Sequence, residues 1–139
     1  MDTPTKFFVS AHALIAKDGQ YLITQRSESD NYHGGLYDLP GGTLKAGETV
    51  EQALFREVKE ETQLEIEIVN LFSIYTNLDS YPKWQVFQVI YLCRYLSGKV
   101  TLNPQEHSQY RWVAKAEIKN YPSMNFLKDL LNNEEFKNL

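Results

Sequence analysis

A single cysteine, Cys93, stands among 139 residues, so no disulfide can form within the chain. Cysteine this sparse suits a reducing cytoplasm, the compartment the sequence predicts. Long hydrophobic runs are missing as well. The longest, residues 86–96, is broken by Gln88 and Arg94 and is too short to span a bilayer. The first six residues carry no basic head leading into an apolar run, so no secretory signal is expected. No block of positive charge is present either: 14 Lys and Arg against 18 Asp and Glu give a net charge of −4. That balance argues against non-specific binding to a nucleic acid polymer and leaves a nucleotide substrate open. On an acidic chain such a substrate's phosphates need local neutralisation, and bound divalent cations are the direct means. A phosphate-binding loop ending in lysine and serine is absent, which excludes an ATPase of that class. The three histidines, His12, His33 and His107, lack metal-ligand spacing and read as structural or surface residues.

What is present describes a globular protein. Hydrophobic residues make up 42% and charged residues 23%, and the length fits one domain over residues 1–139. A chain this long can bury a core without disulfides or a structural metal. Residues 6–17 read as a strand, Asp18-Gly19 as a hairpin turn, and residues 21–25 as the returning strand. From 26 to 47 the composition shifts to Ser, Asp, Asn, Gly and Pro, which predicts a long loop. Loops that long are more often functional than idle. Thr49 and Gln52 form a capping box for a helix running to about Leu64. Residues 66–75 and 84–95 read as strands around the turn-rich 77–82, and 110–113 as a short strand. Ser123 is the expected cap of a terminal helix that places Phe126, Leu127, Leu130 and Leu131 on the core. The pattern is a mixed α/β domain.

The chemistry concentrates on the helix after Thr49. At ~100° per residue, Val50, Ala53, Leu54, Val58 and Leu64 share one apolar stripe. Glu57 and Glu61 project from the middle of that stripe, with Glu60 at its edge. A glutamate-rich helix is usually a solvated face, but this placement opposes that reading. Carboxylates at i and i+4 repel by about 0.2–0.5 kcal/mol even when exposed. Partial burial adds to the cost of each charge. A cation between them resolves both problems, and hard oxygen ligands at one-turn spacing suit magnesium or manganese. Gly41 and Gly42 lie just ahead, where glycine lets backbone approach a ligand.

Residues 42–64, GTLKAGETVEQALFREVKEETQL, resemble the Nudix box, G-x5-E-x7-R-E-U-x-E-E-x-G-U, where U is a bulky aliphatic. Gly42, Glu48, Arg56, Glu57, Val58, Glu60, Glu61 and Leu64 match at the required spacing. The flanks Tyr37-Asp38-Leu39-Pro40-Gly41-Gly42, Gln25-Arg26-Ser27 and Arg111-Trp112-Val113 are similar to the family's as well. The resemblance implies an α/β/α sandwich around a mixed sheet, and a MutT-like hydrolase that cleaves a nucleotide's diphosphate linkage with Mg2+ or Mn2+. It further implies Glu57 and Glu61 as principal metal ligands, Glu60 assisting, the Gly41 carbonyl as a backbone ligand, and Arg56 with Glu48 as an orienting pair. Glu106, in the loop before residues 110–113, takes the place where some members carry a general base or an extra ligand. Arg26 is the candidate contact to substrate phosphate or ribose, and a homodimer is an assembly the family allows. Gln63 departs from the pattern by replacing the box's final glycine, so the helix is expected to end differently or run longer.

The remaining readings are plainer. Cys93 reads as core, and so does the aromatic group Trp84, Phe87, Tyr75 and Tyr81. The favoured substrate is a nucleoside triphosphate, because strands begin almost at residue 1 and leave no room for the N-terminal region of many ADP-ribose hydrolases. ADP-ribose is the runner-up, with Pro82 in the general region of a marker proline. A catalytically silent nucleotide-binding domain is the alternative of another class; it would be expected to lose ligands that this chain keeps.

Overall fold

The computed structural model describes residues 3–30 and 33–139. Met1, Asp2 and the loop residues Asn31 and Tyr32 lie outside the described residues. Strand β1 (Lys6–Lys17) turns at Asp18 and Gly19, both at positive φ, into β2 (Gln20–Arg26). Two positive-φ residues in a two-residue loop match the twist of paired strands, as the Asp-Gly signal requires. Then follow β3 (Tyr37–Asp38), β4 (Gly41–Thr43), α1 (Val50–Thr62), β5 (Glu65–Asn77), β6 (Trp84–Ser97) and β7 (His107–Ala114). A 3-10 turn (Lys115–Asn120), α2 (Asn125–Leu131) and α3 (Glu134–Lys137) close the chain.

The sheet is mixed, in the order β3-β2-β1-β6-β5, with β4 added to β1 and β7 to β2. Parallel β6 accompanies β1 from Lys6 opposite Trp84 to Ala16 opposite Arg94. The other edge of β1 changes partner. Ala16 and Lys17 pair with β2, whereas Ser10, Ala11 and His12 pair with β4. Beyond their hairpin, β1 and β2 therefore splay apart, and β3 and β4 fill the fork. The segment 26–47, expected as loop throughout, contains these two strands. Their pairing is non-local: Tyr37 and Asp38 lie on Gln25 and Thr24, and Gly41 to Thr43 on β1. Glycine-rich composition hides such short strands.

Residues Ser10 to Ile15 of β1 are buried on both faces, as a central covered strand requires. Ala11, Ala13 and Ile15 pack with Leu54, Val58 and Leu64, which seats α1 on one face. Leu14 packs with Ile90, Phe126, Leu127 and Leu130, which seats α2 on the other. These layers make the expected α/β/α sandwich. Fully burying a side chain such as Leu54 contributes roughly 1.5–3 kcal/mol, and truncating it to alanine costs about 2–5 kcal/mol.

Thr49 caps α1 with the reciprocal Gln52 bonds of a capping box, at 3.1 and 2.9 Å. The helix stops at Thr62, two residues before the expected Leu64. Gln63 adopts the left-handed conformation, φ 64° and ψ 17°, and its N–H donates to the Lys59 carbonyl. Glutamine thus takes the backbone geometry that glycine would take more cheaply, and the expected longer helix is not formed. Ser123 does not cap α2: its hydroxyl donates to the Tyr121 carbonyl at 2.9 Å, and Met124 at the cap offers no side-chain bond. Among the described residues no helix is long and apolar enough to cross a membrane.

Candidate active site

The fork between β1 and β2 opens into a cleft of about 350 Å³. One wall comes from α1. Glu57 and Glu61, one turn apart, lean over β4, where the Gly41 N–H donates to Glu61 Oε2 at 2.8 Å. Gly41 has to be glycine, because a Cβ there would run into the Ala11 carbonyl of β1, whereas at Gly42 it would press on the end of the Glu57 side chain. Arg56 holds this wall in place. Its Nε and Nη2 donate to both Glu48 oxygens at 2.7 and 2.8 Å, its Nη1 to Glu57 Oε1 at 2.7 Å, and its Nη2 to the Thr43 carbonyl at 3.2 Å. The Arg56 bonds, with the Lys45 N–H, hold the Glu48 carboxyl down at about 2. Glu60 reaches the same guanidinium at 3.4 Å but is 56% exposed and does not line the cleft.

The opposite wall comes from β2, β3 and the start of β7. Asp38 is buried and accepts from Thr24 Oγ1 at 2.5 Å, Arg26 Nη1 at 3.0 Å and His107 Nε2 at 3.2 Å. Arg26 also donates to Asp30 at 2.7 Å, so this residue is an ion-paired cleft side chain rather than a solvated surface arginine. Glu106 and His107 face α1 across the cleft: ligand atoms of Glu61, Glu106 and His107 lie within 4.8 Å of one another. His107, which showed no metal-ligand spacing along the chain, is brought into a ligand group by the pairing of β7 with β2. Burial pushes the Glu61 carboxyl well above its ordinary value, and the charges of Asp38, Glu57 and Glu106 push the same way against the Gly41 hydrogen bond. Carboxylates crowded at this density, beside an imidazole oriented by a buried carboxylate, are a donor set that fits a divalent cation.

The floor is the sheet itself. Ser10, His12 and Gln88 point from β1 and β6 to the α2 side and are almost wholly buried. His12 Nδ1 lies 3.3 Å from the Leu39 carbonyl, and its Nε2 lies 2.9 Å from Ser10 Oγ and 3.1 Å from Gln88 Nε2. Asn77 Nδ2 donates to Gln88 Oε1 at 3.0 Å. Burial lowers the His12 pKa below 6.5, so the ring stays neutral.

Reading the sequence missed Asp38, Ser10, Asn77 and Gln88, and gave His12 and His107 only structural or surface roles. The alternation of Ser10 and His12 on one strand face was the available signal. Among the aromatics, Tyr75 packs on the core, Phe87 stacks on Phe7 at 6.3 Å, and Tyr81 is exposed. Pro82 and Trp84 help to line a separate cleft of about 510 Å³ with Thr3, Pro4, Lys6, Phe8 and Lys83, a lining with no carboxylate among the described residues. Cys93 is buried, and burial pushes its thiol up to about 12, so it is inert core.

Comparison with known proteins agrees with this geometry. The NUDIX domain family model matches residues 6–133, and the chain belongs to the Nudix family. An ADP-ribose pyrophosphatase of Methanocaldococcus jannaschii is 34% identical over 92 residues, 66% of this chain and 53% of that protein. The match therefore spans about half of the archaeal protein. Nucleoside triphosphatase NudI of Klebsiella pneumoniae is 30% identical over 117 residues, covering 78% of this chain and 82% of that protein. The fold is similar to the crystal structure of a MutT NUDIX hydrolase from Burkholderia pseudomallei, with a TM-score of 0.83, 25% identity, and coverage of 93% of this chain and 98% of that one.

Proposed function

We propose that the chain hydrolyses a nucleoside triphosphate to a nucleoside monophosphate and pyrophosphate, with Mg2+ or Mn2+ as cofactor. The observation that carries this is the convergence of Glu57, Glu61, Glu106 and His107 on one cleft beside Arg26. Glu57 and Glu61 would hold the cation, with Glu106 completing the set or serving as base and the Gly41 backbone alongside. When bound, the cation polarises phosphoryl oxygens and lowers the pKa of water. Arg56 and Glu48 are positioning residues that fix the Glu57 carboxylate, and Glu60 acts through its contact with Arg56. Arg26 neutralises substrate phosphate at the other wall. Water adds to phosphorus, the anhydride P–O bond breaks as pyrophosphate departs, and the water's proton passes to the general base, the role open to Glu106.

The triphosphate is favoured because the match to NudI extends over most of that protein, whereas the match to the ADP-ribose pyrophosphatase covers half. ADP-ribose is the second reading, favoured by the 34% identity within that half. Product analysis over nucleoside triphosphates, ADP-ribose, nucleotide sugars and dinucleoside polyphosphates tests the choice. Pyrophosphate released from a triphosphate supports the first reading. AMP and ribose 5-phosphate from ADP-ribose at a much higher kcat/KM overturn it.

A further inference from the structure

The cleft floor carries more hydrogen-bonding groups than its packing needs. Around Ser10, His12 and Gln88 the strand neighbours are apolar, Leu14 and Ile90 among them. Burying polar side chains among such neighbours costs stability unless each finds a partner. Here they partner one another in a chain whose direction follows from chemistry. The Leu39 carbonyl only accepts, so His12 Nδ1 must carry the proton. A neutral ring then leaves Nε2 as an acceptor, so Gln88 must present its Nε2 and not its Oε1. That leaves Gln88 Oε1 to face Asn77 Nδ2, while Asn77 Oδ1 accepts the Asp79 N–H at 2.8 Å. The Gln88 amide is therefore locked and cannot flip.

It is also half used. Among the described residues, Gln88 spends one N–H on His12 and one lone pair on Asn77, which leaves an N–H and a lone pair. Its side chain lines the cleft together with the apolar Val86, its neighbour on β6, and Met124 at the start of α2, on the far side of β4 and β1 from the α1 carboxylates. A substrate with its phosphates at Glu57 and Glu61 and its body across the sheet brings its far end to this floor.

We propose that Gln88, locked between Asn77 and His12, is the specificity-determining residue that reads a nucleobase edge offering a donor beside an acceptor, with Val86 and Met124 against the ring. The inference rests on the nucleotide reading of the site and names the part of the nucleotide that the floor selects. A planar ring with a mixed edge meets both remaining positions of the locked amide at once, whereas ribose 5-phosphate carries hydroxyls but no such planar edge.

Calorimetry with the four nucleoside monophosphates and with ribose 5-phosphate, all in magnesium, measures the base's share of binding. The wild-type protein should bind at least one monophosphate about tenfold more tightly than ribose 5-phosphate, the gain expected of a paired hydrogen-bonding edge. Gln88→Met, close in shape, should bring that ratio near one, and Ser10 Oγ still satisfies His12 in this variant. Asn77→Ala cuts the anchor at the cleft rim without touching His12, and should lower the ratio part of the way. A wild-type ratio near one, or a ratio unchanged in both folded variants, overturns the proposal. Base-dependent binding without pyrophosphate release from any triphosphate sinks the proposed reaction instead and leaves the base-reading floor standing.

Discussion

The α1 wall and the sheet floor of the same cleft are built by opposite means. The wall is local: Glu48, Arg56, Glu57 and Glu61 lie within fourteen residues, and helical periodicity aims them. The floor is assembled from afar, with His12 bonded to Gln88 across a separation of 76 residues. The wall crowds carboxylates around the single guanidinium of Arg56, an arrangement that a bound cation would complete under the proposed function. The floor is neutral and hydrogen-bonded within itself. Chemistry at phosphorus needs fixed charges at fixed spacing, which one helix supplies. Selection of the attached group can be varied one strand residue at a time without disturbing that helix.

Breaking the wall should have the largest effect. Glu57→Gln and Glu61→Gln should each lower kcat by about 10²–10³-fold or more, the scale for losing transition-state charge stabilisation, and EDTA should abolish turnover. Full activity in excess EDTA would sink the cation-dependent reading. Stability should move the other way. The Glu61 carboxyl has a folded-state pKa above its ordinary 4.5, so in the metal-free protein stability is lost as pH rises from 4.5 through the folded value. At neutral pH in chelator, Glu61→Gln should therefore melt at a higher temperature than wild type. Added magnesium should narrow that difference, which scanning calorimetry reads directly.

The opposite wall should respond less. Asp38 orients His107, which would join Glu61 and Glu106 in holding the cation, and loss of a partner behind a metal ligand typically costs 10–100-fold in metal affinity or activity. Asp38→Asn keeps the size of the side chain and weakens that hold, so a magnesium titration of activity should shift to higher concentration by roughly this factor. Glu106→Gln separates two roles on the same wall. A base predicts a flattened acid limb of the pH–rate profile at unchanged metal affinity, and a ligand predicts a shifted titration. If neither changes, Glu106 is only a solvated loop residue.

These contrasts also mark what the sequence could tell. Helix α1, its capping box and the aim of Glu57 and Glu61 were legible because period and cap lie within one segment. The long strands were legible from apolar runs. Strands β3 and β4 were not, because their glycines and prolines signal turns and only pairing with β1 and β2 makes them strands. His107 had only Glu106 beside it in sequence; it gains Glu61 through the register of β7 on β2. Asp38 stood in a recognised flank but gave no sign of burial, which follows from the three donors that converge on it.

The floor gives a smaller, pH-dependent effect. The folded-state pKa of His12 is depressed below 6.5, chiefly by burial, with the Leu39 carbonyl and Asp38 acting against it and Arg26 with it. A depressed histidine stabilises the fold above its unfolded pKa, and that stability is lost as pH falls from 6.5 toward the folded value. Melting temperature should decline through this window, and His12→Gln should flatten the decline. An identical slope in the variant would show that another group governs acid unfolding.

The smallest expected effect belongs to the end of the wall. Gln63 holds the left-handed conformation that closes α1, at a cost of about 1–2 kcal/mol for a side chain with a Cβ. Glycine removes that strain, but its unfolded chain is freer by roughly 0.5–1 kcal/mol. Gln63→Gly should therefore stabilise by about 0.5–1 kcal/mol, the difference between these opposing terms, which in a chain of this size raises Tm by about 2–4 °C. Turnover should stay within twofold of wild type by the same reasoning, since Gln63 is exposed and does not line the cleft. A fall in Tm would mean that the glutamine side chain contributes more to closing the helix than its backbone strain costs. Such a result would place the end of α1 with the floor, among the features set by distant contacts, instead of with the locally encoded wall.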